Sequence, residues 1–264
     1  MPIAQFKENA RVGWATFTPF EMITGMAAPH LVRFAQVSRG ARVLDVACGT
    51  GVVALTAARA GAHASGVDLT PELIARAKEN AGLAKLEADF KVGDAEELPY
   101  DDGSFDVVLS QFGHMFAPRP DVTVKELFRV LKPGGTLAFS TWPPELFTGR
   151  MFALTGKYGP PLPPGVSPPV QWGDPNVVRE RLGAGAKSIT FDRACVRSPV
   201  LSPTYMRAMM EVNVGPLAKL VAALTASDPA KLATFRAELD ALVAEYFEDN
   251  VLRQDFLMTR AIKA

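Results

Sequence analysis

The chain has 264 residues, 48% of them hydrophobic, the composition of a globular protein that can bury a full core. Lysine plus arginine equals aspartate plus glutamate, 28 each, so no global basic field draws the chain to nucleic acid or to an anionic membrane. Two cysteines, Cys48 and Cys195, exclude a disulfide scaffold and neither sits in a metal-ligand pair, so no metal is expected. No stretch approaches the roughly 18 apolar residues a spanning helix needs, and the N-terminus lacks a basic segment followed by an apolar run, which leads us to expect a cytoplasmic protein.

Residues 1–39 carry Trp14, Phe17, Phe20, Met22 and Met26 with Pro19 and Gly25 as punctuation, and predict two short helices joined near Thr18-Pro19. From Arg42 to Val46 the apolar run predicts a buried strand. Gly49 and Gly51 open a tight turn, and Val52 to Ala60 is helical. Gly49-x-Gly51-x-x-Ala54 satisfies the loose dinucleotide fingerprint. Asp45 argues against it: a pyrophosphate on the following helix N-terminus would be repelled by that carboxylate by roughly 1–4 kcal/mol. A cofactor presenting an ammonium and a sulfonium suits an aspartate there.

His63 to Asp68 forms a second strand ending in an acid, placed to accept both ribose hydroxyls of any adenosine cofactor. Thr70 caps and Pro71 opens a helix through about Asn80. A third strand, about Asp89 to Gly93, leads into Asp94-Ala95-Glu96-Glu97, and Ser104 to Ser110 is a fourth, buried strand. Its end is the expected reaction edge, because ligands of open parallel sheets bind beyond the carboxyl ends of the strands. A helix from Pro120 shows Val124, Leu127, Phe128 and Leu131 on one face, and Lys132-Pro133-Gly134-Gly135 turns it into a fifth strand, Thr136 to Trp142.

The alternation fails over 143–185, where Pro160, Pro161, Pro163, Pro164, Pro168 and Pro169 predict an extended loop, followed by a short helix capped by Asp174. A sixth strand spans Ser188 to Val200. A helical block at about 202–250 contains a helix from Ser202-Pro203 with Met206, Met209 and Met210, and a long amphipathic helix from Pro229 to Phe247. The last strand is Phe256 to Ile262. The three methionines read as a core stripe or as an adaptable pocket wall.

Leu44-Asp45-Val46-Ala47-Cys48-Gly49-Thr50-Gly51 resembles the first motif of class I S-adenosylmethionine-dependent methyltransferases. Gly66-Val67-Asp68-Leu69, Gly93-Asp94-Ala95-Glu96-Glu97-Leu98-Pro99 and Leu131-Lys132-Pro133-Gly134-Gly135 resemble the later motifs, in order, and most closely the ubiquinone and menaquinone biosynthesis branch, over about residues 40–142. The resemblance implies a Rossmann-like, doubly wound α/β fold with a seven-stranded, mostly parallel sheet. Its last strand is antiparallel and slips between strands five and six.

On this reading one methyltransferase domain spans 1–264, with an N-terminal cap (1–39), a cofactor core (40–142), a proline-rich loop and short helix (143–185), a helical lid (202–250) and the last strand (251–264). The implied cofactor is S-adenosylmethionine, held by residues from Asp45, Ala47, Cys48, Gly49, Gly51, Asp68, Leu69, Asp94, Ala95, Glu96 and Ser110. Asp94 and Ala95 take the adenine edge. Trp14 and Phe20 of the cap could face cofactor or acceptor.

His114, in the loop after the fourth strand, is the candidate general base, since imidazole titrates near neutrality. The apolar leader, the proline loop and the methionine-bearing block suggest a small, partly hydrophobic methyl acceptor under a lid, on a monomer or homodimer. A nicotinamide-dependent oxidoreductase and a cofactor-binding protein without transferase activity remain open at this point.

Overall fold

Alternation along the first strand sets the layers. In the computed structural model, which describes all 264 residues, β1 (Arg42–Val46) turns Val43 toward one face of the sheet and Leu44 and Val46 toward the other, all three fully buried. Val43 packs with Leu31 of α2 (Glu21–Phe34) and with Val53 and Ala57 of α3 (Val52–Arg59). Leu44 and Val46 join the opposite core with Leu127 and Phe128 of α5 (Pro120–Arg129). A strand apolar on both faces belongs in the middle of a parallel sheet covered by helices on each side.

β1 pairs in parallel with β2 (His63–Asp68), which pairs with β3 (Ala88–Val92), and on its other side with β4 (Phe105–Gln111), which pairs with β5 (Leu131–Thr141). The sheet order is β3-β2-β1-β4-β5-β8-β6, with β8 (Val251–Lys263) antiparallel to both β5 and β6 (Ala186–Pro199). The last strand therefore lies between the fifth and sixth as the resemblance implies, on a Rossmann-like sheet. A short β7 (Phe247–Glu248) pairs back on β8 across Asp249-Asn250, both at positive φ, as a two-residue hairpin turn requires.

The leader is α1 (Ile3–Trp14), a single 3₁₀ turn at Thr18–Phe20 and α2. Between α3 and β3 lies α4 (Pro71–Ala84), which runs past Gly82 to a left-handed Lys85. Thr70 gives it no side-chain cap; its N–H donates to Asp68 instead. Where an unbroken extended loop was expected, Phe147–Tyr158 forms α6. Asp174 caps α7 (Pro175–Leu182) by accepting from Asn176 N at 2.8 Å, and Ser202 caps α8 (Pro203–Asn213) by accepting from Tyr205 N at 3.1 Å. With α9 (Gly215–Ser227) and α10 (Pro229–Ala244), α6 and α8 build a second apolar core around Phe235 and Leu239, both fully buried, which reaches Phe20 of the leader. α10 ends three residues before Phe247, which belongs to β7.

Candidate active site

One cavity of about 230 Å³ lies beyond the carboxyl ends of β1 to β5, roofed by α1, α6 and α8. Two backbone positions beside it are strained. Ala47, just past β1, sits at φ +54, and Phe112, just past β4, at φ +59, in the left-handed region that non-glycine residues rarely adopt. Gly113 lets them meet, because a Cβ there would stand 2.5 Å from the Ala47 carbonyl oxygen. Phe112 in turn stacks on Trp142, ring centroids 3.9 Å apart at 13°.

Asp45 is 1% exposed, and its Oδ2 accepts from Ala54 N at 3.1 Å while Oδ1 has no partner. Burial, reinforced by nearby Asp68, pushes its carboxyl well above the usual carboxylate range, although the Ala54 N–H pulls the other way. A buried carboxylate oxygen left unpaired is costly unless a cation or donor meets it. Asp68 at the end of β2 accepts from Gly49 N at 2.8 Å and Thr70 N at 2.9 Å; burial raises its carboxyl, and these two amides offset part of the rise. Gly49 lines the cavity at φ +55 with nothing within 4 Å of where its Cβ would stand, so a ligand can approach the bare backbone. The Cys48 thiol is pushed well up by burial and by Asp45 and Asp68, which keeps it neutral and inert.

Asp45, Ala47, Cys48, Gly49, Asp68, Leu69, Asp94 and Ala95 thus surround one cavity, and Trp14 and Phe20 line it too. Four expected site residues do not. Gly51, at φ +82, serves packing: a Cβ there would lie 2.7 Å from the Phe90 ring. Glu96 is 6% exposed and spends its carboxylate on Lys7 Nζ at 2.6 Å and on the Arg119 backbone N and guanidinium at 2.6–2.9 Å. Ser110 is fully buried, donating to the Val46 carbonyl at 2.7 Å and accepting from His114 N at 3.1 Å.

His114 is fully buried between Phe139 and Trp172, ring centroids 4.6 and 4.7 Å away, and does not line the cavity. Burial first, and the charge of Arg181 second, pull its imidazole down to about 3. The short 3₁₀ turn His114–Phe116 swings Phe116 rather than the imidazole into the cavity, so the candidate base is corrected to a core residue.

Residues the motifs did not reveal complete the site. Lys7 of α1 reaches Asp94 at 2.5 Å, and Gln111, Gln254, Met206 and Met210 line the far end. Met206 and Met210 are both core and wall, at 3% exposure each, whereas Met209 joins neither. No cluster of three or more His, Cys, Asp or Glu side chains places a metal ion, and no helix is long and apolar enough to cross a membrane.

Residues 44–139 match the family described as a methyltransferase domain. Over 255 residues the chain is 38% identical to the uncharacterized protein Rv1403c of Mycobacterium tuberculosis, covering 92% of this chain and 89% of that one. The chain belongs to the class I S-adenosylmethionine-dependent methyltransferases. A ubiquinone biosynthesis O-methyltransferase of Xanthomonas oryzae is 39% identical over 103 residues, 39% of this chain and 43% of its own. The crystal structure of a putative methyltransferase from Bacillus halodurans shares the fold, with a TM-score of 0.58 at 21% identity over 89% of this chain and 98% of that one.

This methyltransferase takes S-adenosylmethionine as its cofactor, which removes the nicotinamide alternative. The unpaired Asp45 Oδ1 and the open cradle at Gly49 fit such a cationic, phosphate-free group.

Proposed function

We propose that this methyltransferase acts on a small, partly hydrophobic acceptor bound at the β4, β5 and β8 end of the cavity. The distribution of charge carries the reading. Every ionisable side chain that lines the cavity belongs to α1 or to the tips of β1, β2 and β3, whereas the other end presents Trp14, Phe116, Trp142, Phe152, Met206 and Met210. An apolar compartment under helices accommodates a small molecule better than a polymer, which would need an open, charged groove.

S-adenosylmethionine, when bound, supplies an electrophilic methyl group on a sulfonium. Asp45 Oδ1 would take the cofactor's ammonium, which restores the carboxylate's charge, and Asp68 would accept the ribose hydroxyls. Asp94 and the Ala95 N–H would meet the adenine edge, with Glu96 retaining Lys7 as Asp94 turns to the ligand. The chain's remaining task is positioning, since an in-line displacement requires the acceptor lone pair about 3–3.5 Å from the methyl carbon and on axis. The stacked pair Phe112–Trp142 walls that end.

The test is release of S-adenosylhomocysteine on incubation with small aromatic acceptors, with bulk tRNA and with bulk protein. Turnover with small aromatic acceptors is expected. Strong preference for tRNA or protein would overturn the reading.

A further inference from the structure

We infer that Gln111 is the residue that selects the acceptor, and that the acceptor is an uncharged azole: a flat nitrogen heterocycle with one N–H and one in-plane lone pair. The inference rests on the small-acceptor reading above and deepens it. Gln111 ends β4, lines the cavity and is 9% exposed. Its Nε2 donates to the Thr24 carbonyl oxygen at 2.7 Å, a bond that fixes which way the amide faces. Oε1 is then left buried with no partner. A buried acceptor without a donor calls for a ligand that brings one, and a site built around such a group rejects ligands that lack it.

The surroundings narrow the class further. The polar side chains at this end of the cavity are Thr24, Gln111, Thr148 and Gln254, none of them ionisable. A phenol or an alkylamine, each with a pKa near ~10, would have to lose a proton before attack, and no base is at hand. An alkylammonium has no lone pair to offer the methyl group until that proton is gone. A thiol ionises more readily but gives Oε1 only a weak donor. An azole with a pKa near ~6.5 is neutral at pH 7, keeps its lone pair free, offers an N–H to Oε1 and lays a flat apolar ring against Trp142 and Phe116.

The step balances without a protein base. The in-plane lone pair of the acceptor nitrogen forms the new N–CH₃ bond as the S–CH₃ bond breaks, and that bonding pair stays on the sulfur. The positive charge passes from sulfonium to azolium, the N–H to Gln111 Oε1 becomes a charge-assisted hydrogen bond, and the proton leaves to water after release.

Benzimidazole, 2-naphthol and naphthalene-2-thiol are offered at pH 7 with S-adenosylmethionine, and methylated product is read by mass spectrometry beside calorimetric titration with S-adenosylhomocysteine. The expected result is N-methylbenzimidazole with little product from the other two. Gln111→Leu should raise KM for benzimidazole by about tenfold or more with unchanged S-adenosylhomocysteine affinity, and Gln111→Glu, which would set a carboxylate oxygen against the Thr24 carbonyl, should not restore it. Equal methylation of naphthol or thiol overturns the azole class. So does an untouched benzimidazole with a protein that binds S-adenosylhomocysteine. Loss of cofactor affinity in Gln111→Leu would move Gln111 from acceptor to cofactor. Failure of the wild type to bind S-adenosylhomocysteine would instead sink the transferase reading beneath it.

Discussion

His114 and Asp45 are both almost wholly buried, and desolvation disfavours the charged form of each, which lowers one pKa and raises the other. For Asp45 a cationic ligand can reverse the effect. For His114 nothing in the core can, and the cost appears as acid sensitivity. The folded imidazole titrates near about 3 and the unfolded one near its ordinary 6.5, so between these values the unfolded chain binds the extra proton more tightly. Stability from this residue is therefore intact above pH 6.5 and falls by about 2–3 kcal/mol on acidifying to about pH 4.5. Thermal unfolding of the wild type and of His114→Phe from pH 7 to 4.5 should show a flatter pH dependence in the variant; parallel curves would contradict it. Asp45 and Asp68 were legible in the sequence as acids at the ends of strands, and Asp94 through its motif resemblance; all three line the cavity. His114 was not legible, since a loop position says nothing about the direction of its side chain. Lys7 was invisible because its partner Asp94 lies 87 residues away.

At the scale of elements, β1 and β4 were readable from their apolar runs, β2 from the acid at its end, and the cap at Asp174 from residue type, whereas Thr70, equally suited by type, makes no side-chain cap. The helix α6 was not readable, because Pro143-Pro144 precede it and Gly149 and Gly156 interrupt its pattern. Gly149 has a packing reason, since a Cβ there would stand 2.1 Å from the Pro143 carbonyl oxygen. The first helix differs from the rest in burying no residue fully. Polar ties hold it across the cavity: Lys7 to Asp94 and Glu96, and Lys219 Nζ to the Asn9 carbonyl. Elements with few buried apolar contacts open at low free energy. Lys7→Met should therefore speed amide exchange in residues 3–14 by about 5–30-fold, the consequence of losing 1–2 kcal/mol, with β1 unaffected. Equal exchange in variant and wild type would show that the ion pairs do not hold the roof.

For the whole molecule, the antiparallel last strand between the fifth and sixth followed from the resemblance, whereas the division of the cavity into a charged end and an aromatic end did not. That division joins α1, α6, α8 and β8 to the strand tips, and such pairings leave no local trace in a sequence. Binding of S-adenosylmethionine at the tips of β1 to β3 underlies every role assigned to the cavity. It is tested most directly by calorimetric titration of the protein and of Asp68→Ala with S-adenosylhomocysteine. Micromolar binding by the wild type is expected, with a loss of about 1.5–3 kcal/mol in the variant, the scale of a charge-assisted hydrogen bond. No heat of binding from folded, cofactor-free wild type, or equal affinity in the two proteins, would contradict it.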